Sequence, residues 1–237
     1  MYRFFSSFIL IFFVTTNIFG KFYISGYYGI GKYKMTALKE FNKEYIRSFP
    51  IDLTVVDDFP MRPFYGIEFS NKIKKIEFGG EVFYNTTGSK IHYEDYSGEV
   101  IFKQKVSATS VGALFKCYLV DLDKFCWNFN TGLSVSSTKL GIYETIKVFE
   151  DSINDNYKFT SSEFRGRLGT EFSYIINMFR ISAFISTETT LYASGFSWIE
   201  NFDVKLKNRS GDAIKPKWSG GRYGLKLGIN LSALSKL

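Results

Sequence analysis

The chain has 237 residues, 45% of them hydrophobic and 19% aromatic, and a formal net charge of +7. The hydrophobic content excludes a disordered chain, and the 26 Phe and 16 Tyr favour strands and membrane–water interfaces. No run of five like charges occurs, so no nucleic-acid partner is expected. The modest basic excess fits either contact with anionic lipid or an ordinary solvated surface.

The first twenty residues have the pattern of a secretory signal peptide. Arg3 supplies a positive charge, the segment Phe4–Val14 is almost wholly apolar, and Asn17–Gly20 ends in a small residue. We therefore expect residues 1–20 to be removed near Gly20 and residues 21–237 to form one exported domain. After residue 20 no apolar run approaches the roughly 18 residues that a transmembrane helix needs.

Alternation of apolar and polar residues recurs along the mature chain and predicts strands. It is weakest in the first strand, Phe22–Tyr33, and clearest in the last, where five apolar residues from Tyr223 to Leu231 alternate with non-apolar ones. One long strand is expected at 97–120, because splitting it near Ala108 would give nine strands. In chain order the predicted strands fall at about 22–33, 64–69, 76–84, 97–120, 125–135, 163–176, 179–186 and 222–231.

The connections between these strands are of two kinds. Asn71–Lys75, Asp121–Lys124 and the vicinity of Asn177 have the composition of tight turns. Long polar connections occupy 36–61, 86–96, 138–160 and 194–217, and a helix at Thr36–Arg47 is predicted in the first of them, on the barrel rim. Short and long connections alternate strictly. This predicts an all-β, eight-stranded, antiparallel up-and-down transmembrane barrel with short periplasmic turns and four long outer loops.

The polar face of the strands indicates which side faces inward. It carries Gly and Ser residues together with long charged side chains, as expected for a lumen that side chains fill. Buried charges require partners, and five acids against six bases permit mutual pairing. A soluble barrel would instead bury its apolar face. The expected lumen charge network, with a structural role, comprises Glu68, Glu77, Glu81, Lys116, Arg165, Arg167, Glu171, Arg180, Glu188, Arg222 and Lys226.

Catalytic chemistry has one candidate, His92, which lies in the second predicted outer loop beside Ser89 and Glu94. These residue types could serve a lipid-modifying enzyme, but adjacent residues on an extended chain point in opposite directions. We therefore expect a solvated loop histidine, no catalytic residue and no enzyme. No metal site or cofactor is expected either. Cys117 and Cys126 are placed on opposite faces of adjacent strands, which disfavours a disulfide.

Several short segments resemble the small OmpA/OmpX-like outer-membrane β-barrels, especially those of Bacteroidota. They are Tyr27–Gly29, Met35–Lys39, Asp95–Glu99 and Trp218–Arg222. The resemblance implies a barrel in the cell outer membrane and no particular activity. The chain departs from the family in ending without a terminal aromatic residue. Rickettsial-type surface antigens are a second group with the same barrel.

The sequence thus predicts an outer-membrane barrel with a side-chain-plugged lumen and a structural or surface-interaction role carried by its outer loops. The expected partners are outer-membrane lipids, lipopolysaccharide, the barrel-assembly machinery and a surface partner of the loops. Three alternatives are a narrow channel or transport component, a lipid-modifying enzyme, and a secreted soluble barrel.

Overall fold

A computed structural model describes residues 20–96 and 98–234, so nearly all of the predicted signal peptide, residues 1–19, lies outside the described residues. No helix in this part of the chain is long and apolar enough to cross a membrane. The elements in chain order are β1 (Lys21–Tyr33), α1 (Thr36–Ile46), β2 (Thr54–Asp58), β3 (Arg62–Ile73), β4 (Ile76–Asp95), β5 (Gly98–Asp121), β6 (Phe125–Val148), β7 (Asp151–Ile176), β8 (Phe179–Ala193), β9 (Ser197–Trp198), β10 (Gly220–Asn230) and α2 (Leu231–Leu234).

Eight of these strands form a closed antiparallel ring in the order β1-β3-β4-β5-β6-β7-β8-β10. The ring closes where β1 pairs with both β3 and β10; Gly26, for example, lies opposite Ile67 on one side and Leu227 on the other. The short strands β2 and β9 pair with the outer parts of β4 and β7, beyond the residues of those strands that pair with β3 and β8. The predicted eight-stranded up-and-down barrel is confirmed.

The three predicted tight turns are also confirmed, and all lie at the barrel end where β1 begins and β10 ends. Lys74 and Asn177 have φ values of 51° and 54°, within the left-handed region that short hairpins use. The third turn joins Asp121 to Phe125. The chain leaves β10 through α2, so Leu231, which was predicted to be a strand residue, begins a helical turn.

Two of the four predicted long loops are wrong. Residues 86–95 belong to β4, which has 20 residues, and residues 138–160 belong mostly to β6 and β7, which have 24 and 26. Each pairs without interruption with its neighbour almost to the hairpin tip, as Glu94 does with Glu99. A tilted strand of about 9–11 residues crosses a bilayer. Strands β4 to β7 therefore continue well beyond the length that a membrane span requires.

The reason for this error is a change of polarity within single strands. In β5 the inward positions from Ser110 to Tyr118 include Lys116, whereas from Val100 to Ala108 most are apolar. The outward positions change in the opposite sense, from apolar residues such as Val111 in one half to charged residues such as Lys103 in the other. Side chains keep alternating inward and outward along the whole strand, but near Ala108 the apolar residues change from the outward to the inward positions. A prediction that assumes one constant apolar face therefore ends the strand there.

A second, apolar core fills the outer part of the barrel; we call it the outer core. Its buried members include Leu38, Phe102 and Trp218, of which Trp218 is 0% exposed. Helix α1 is present close to its predicted bounds. It does not lie on the rim, because Leu38 is buried among inward-facing side chains and Tyr45 stacks on Phe102 at 4.0 Å between ring centroids. The helix therefore closes the outer mouth of the barrel. The fourth connection, 194–217, is mainly irregular as predicted and packs on the same core through Phe196.

The extended hairpins can be distinguished from loops by amide hydrogen exchange. Residues 138–148 of β6 pair with strands on both sides. We expect their amides to exchange at least about tenfold more slowly than those of the exposed segment 199–203, because exchange requires opening of the paired strands. Mass spectrometry of peptides from these two segments measures the difference. Equally fast exchange in both would restore the loop prediction.

Candidate functional site

The most unusual feature of the described residues is a cluster of charged side chains inside the barrel. All eleven residues of the predicted lumen network point inward, and each is buried except Arg167, whose side chain is 12% exposed. A twelfth, Glu163, is 1% exposed and was missed, although it alternates in step with Arg165 and Arg167. These twelve residues are six acids and six bases; a further inward lysine, Lys72, pairs with Asp121 at the end nearest the short turns. These residues divide into three tiers along the barrel axis.

The tier nearest the short turns is the most highly connected. Lys116 Nζ lies 2.5 Å from Glu68, 2.9 Å from Glu77 and 3.4 Å from Glu171. Lys226 Nζ bridges Glu68 at 2.6 Å and Glu171 at 2.8 Å. These ammonium groups come from β5 and β10, on opposite sides of the ring. Apart from Lys116–Glu77, which joins the paired strands β4 and β5, the contacts link strands that share no backbone hydrogen bonds.

Arg180 completes this tier. Its guanidinium binds Glu77 through two nitrogens, at 2.7 and 3.0 Å, and Tyr118 donates a hydrogen bond to the same carboxylate. Ser70 also donates to Glu77, at 2.7 Å. Bidentate arginine–carboxylate pairs are among the stronger hydrogen-bonded ion pairs. Glu77 is therefore the acceptor at the centre of the tier.

The middle tier is a single pair across the lumen. Arg167 Nη1 lies 2.8 Å from Glu81 Oε1, and Tyr27 donates to the other carboxylate oxygen at 3.0 Å. Arg167 faces Glu188 directly in the β7–β8 register. It nevertheless binds Glu81 on β4, because the lumen is narrow enough for the arginine to span.

The outer tier lies directly beneath the outer core. Glu188 accepts a hydrogen bond from Arg165 at 3.3 Å and forms an ion pair with Arg222, whose Nη1 lies 3.0 Å from Glu188 Oε1. Arg165 also donates to the hydroxyl groups of Ser110 and Ser136. The Arg222 guanidinium lies 4.7 Å from the ring centre of Phe83, a cation–π contact. Arg165 also lies 5.9 Å from the ring centre of Trp218, and this contact joins the tier to the outer core.

One small cavity lies among the charged residues of the lumen. The cavity between Tyr27, Glu81 and Lys226 has a volume of about 20 Å³, room for about one water molecule. Above it the outer core and α1 close the mouth.

The outward face of the barrel is the opposite of the lumen. Its described outward positions between the short turns and the level of Thr109 carry no Asp, Glu, Lys or Arg. We call this surface the apolar belt. Aromatic residues lie toward both of its edges, such as Tyr65 with Tyr84, whose ring centroids are 5.5 Å apart, and Trp127 with Phe172 at 5.6 Å. Its exposed members include Tyr28, Ile67, Val82, Val111, Leu133, Leu168, Ile181, Ile185, Tyr223, Leu225 and Leu227.

His92 does not lie in a loop, as was predicted, but on β4. It is on the outward face with Nε2 3.3 Å from Glu99 and 3.9 Å from Glu94, and Lys147 also binds Glu99, at 3.0 Å. Hydrogen bonds from Lys147 and His92 hold the pKa of Glu99 below its usual range. Ser89 points inward and accepts a hydrogen bond from Asn42. The serine and histidine of the enzyme alternative are therefore on opposite faces of one strand.

The potential ligand atoms of His92, Glu94 and Glu99 lie within 4.8 Å of one another, close enough to hold a metal ion. Lys147 already supplies a positive charge to Glu99 in this cluster.

Cys117 is exposed on the belt and Cys126 is buried in the lumen. Both are free thiols, on the faces that the alternation predicted.

Comparison with known proteins gives distant structural likenesses. Neisserial surface protein A (NspA) is 8% identical with a TM-score of 0.37, covering 89% of this chain and 97% of that chain. Ail, the attachment invasion locus protein of Yersinia pestis, is 13% identical with a TM-score of 0.35, covering 90% and 99%. No protein-family model matches the chain, and no curated protein matches it. Because these TM-scores are below 0.5, we assign the barrel fold from the strand pairing and not from these likenesses.

Removing the charge of Glu77 tests the lumen network. Glu77→Gln keeps the side-chain shape but leaves Arg180 and Lys116 short of one buried anion. We expect a loss of about 3–5 kcal/mol in the free energy of unfolding, measured by urea titration in detergent.

The control is Asp58→Asn, which breaks an ion pair with Lys39 whose side chains are 48% and 33% exposed. It should cost about 1 kcal/mol or less, since exposed pairs contribute little. Equal effects of the two substitutions would mean that the lumen charges do not stabilise the barrel.

Proposed function

We propose that this protein is a closed barrel of the bacterial outer membrane whose rigid outer part presents a surface for interaction. The observation that carries the proposal is the apolar belt. A water-soluble protein rarely exposes a large continuous apolar surface, whereas a membrane barrel requires one, with aromatic girdles at both edges. The charged lumen supports the same orientation, because a soluble barrel would bury its apolar side chains there.

We further propose that the lumen is plugged. Three observations support this: the ion pairs across all three tiers, the cavity of only about 20 Å³ and the outer core above them. An eight-stranded barrel has an interior just wide enough for side chains to fill. This supports a structural or binding role over the alternative of a narrow channel.

The outer hairpin tips favour an interaction role. Tyr96 at the β4–β5 tip is 98% exposed, and Phe149 at the β6–β7 tip is 79% exposed with φ of 54°. Phe202, in the connection before β10, is 65% exposed. Exposed aromatic side chains are enriched at binding surfaces. We propose that a surface partner is recognised by these tips and that the protein is not an enzyme, with His92 a structural residue of the outer wall.

Cell fractionation tests the location. The protein should sediment with outer membranes, and its folded form should migrate differently in gels before and after heating. Val111→Arg, in the apolar belt, should reduce folding into lipid vesicles, at a cost of about 2–4 kcal/mol.

Val148→Arg is the matched control, because Val148 is similarly exposed, at 53% against 59%, but lies at an outer hairpin tip. It should fold as the unchanged protein does. A soluble, heat-insensitive protein, or equal tolerance of both arginines, would contradict the proposal.

Planar bilayer recording tests the plug. The purified protein should show no steady single-channel conductance, because the lumen charges bind one another rather than solvated ions. Glu81→Ala with Arg167→Ala removes the middle tier and serves as a comparison with a widened lumen. Steady conductance by the unchanged protein would refute the plugged lumen and favour the channel alternative.

A further inference from the structure

A groove in the outer wall joins the apolar belt to a group of lysines at its outer edge. It has a volume of about 1030 Å³ and crosses β6, β7, β8, β10 and β1. Phe129, Leu168, Ile185 and Tyr223 give it apolar walls, and Lys32, Lys34 and Lys39 line its outer end. From this arrangement we propose a binding site for one acylated, phosphorylated lipid of the outer leaflet, with an acyl chain in the groove and a phosphate at the lysines. The inference rests on the proposed location in the outer membrane.

The floor of the groove is made of small residues. Gly221 lies in register between Thr187 on β8 and Lys32 on β1 and faces outward. A Cβ at Gly221 would meet no atom within 4 Å, and its φ is not positive, so neither crowding nor backbone conformation requires glycine. Glycine within a strand weakens it, and one use of such a position is close approach of a ligand. The open space at Gly221 therefore allows an acyl chain to lie directly against the strand.

The charge at the outer end is complementary to a phosphate. Among the described groups that line the groove there is no carboxylate. Lys39 pairs with Asp58 at 2.7 Å, whereas Lys32 and Lys34 have no carboxylate within ion-pair distance in the described chain. Lys32 lies two residues beyond Ile30, an exposed member of the apolar belt, which places its ammonium group where the headgroups of the outer leaflet begin. An anionic headgroup would supply the missing counter-charge.

The lipid and the phosphate parts of the site can be tested separately. The probe is diphosphorylated lipid A, titrated into the full-length folded protein in neutral detergent and counted by native mass spectrometry. Lys32→Ser with Lys34→Ser should weaken binding about tenfold or more, because each lysine near an anionic headgroup favours binding. Gly221→Phe should weaken it as well by filling the groove. Lys205→Ser with Lys207→Ser, in the exposed connection before β10, is the charge-matched control and should bind as the unchanged protein does.

Three outcomes would overturn the site. Unchanged binding by both the double lysine and the Gly221→Phe variants would exclude it. Equal affinity for dephosphorylated lipid A would remove the phosphate role. Equal affinity for a soluble phosphorylated disaccharide, unaffected by Gly221→Phe, would show a free-phosphate site with no acyl chain. Each variant is first shown to be folded by its heat-dependent gel mobility. A failure of the unchanged protein to reach the membrane would refute the proposed function instead, so the two failures are distinguishable.

Discussion

Closure of the sheet between β1 and β10 is the constraint on which the other features depend. A membrane leaves no room for an unpaired strand edge, since hydrocarbon offers no hydrogen-bond partner to backbone groups. Closing eight strands fixes a lumen only as wide as the side chains within it. Charged residues in so narrow a space meet others from across the ring, as Arg167 meets Glu81 and Lys226 meets Glu171. The ion pairs thus follow from closure, and they hold together strands that are not neighbours in the sheet.

The same ring encloses two different interiors. Next to the apolar belt the core is mainly charged, with a small aromatic cluster of Tyr27, Phe64 and Phe83 among the ion pairs. Beyond the belt the core is apolar and contains Phe102 and Trp218, as in a water-soluble protein. Each strand from β4 to β7 takes part in both. The two cores meet at the outer tier, where Arg165 binds Glu188 on one side and lies 5.9 Å from the Trp218 ring on the other.

The sequence predicted the strands and turns at the level of the apolar belt, but not the outer parts of β4, β6 and β7. Strands, short turns and the inward charged residues all follow from an alternation in which the apolar set stays on one face. Residues 86–96 and 138–160 were assigned to loops because that alternation reverses near Ala108, and an apolar set that changes face resembles the end of a strand. Glu163 was predictable, because it lies in the predicted strand 163–176 in step with Arg165, but it was not included in the network. The pairing of particular charges was not predictable, because it depends on how far the strands are tilted and staggered around the ring.

The continuity of β4 to β7 has a mechanical consequence. No flexible connection separates the outer hairpins from the belt, because β6 and β7 pair without interruption from Phe125 opposite Tyr174 to Val148 opposite Asp151. A pull on the tip near Phe149 would act along the strands and load their hydrogen bonds in shear, all together, instead of opening them one at a time. A partner attached at the tip would therefore be connected rigidly to the barrel, and its orientation would follow that of the barrel.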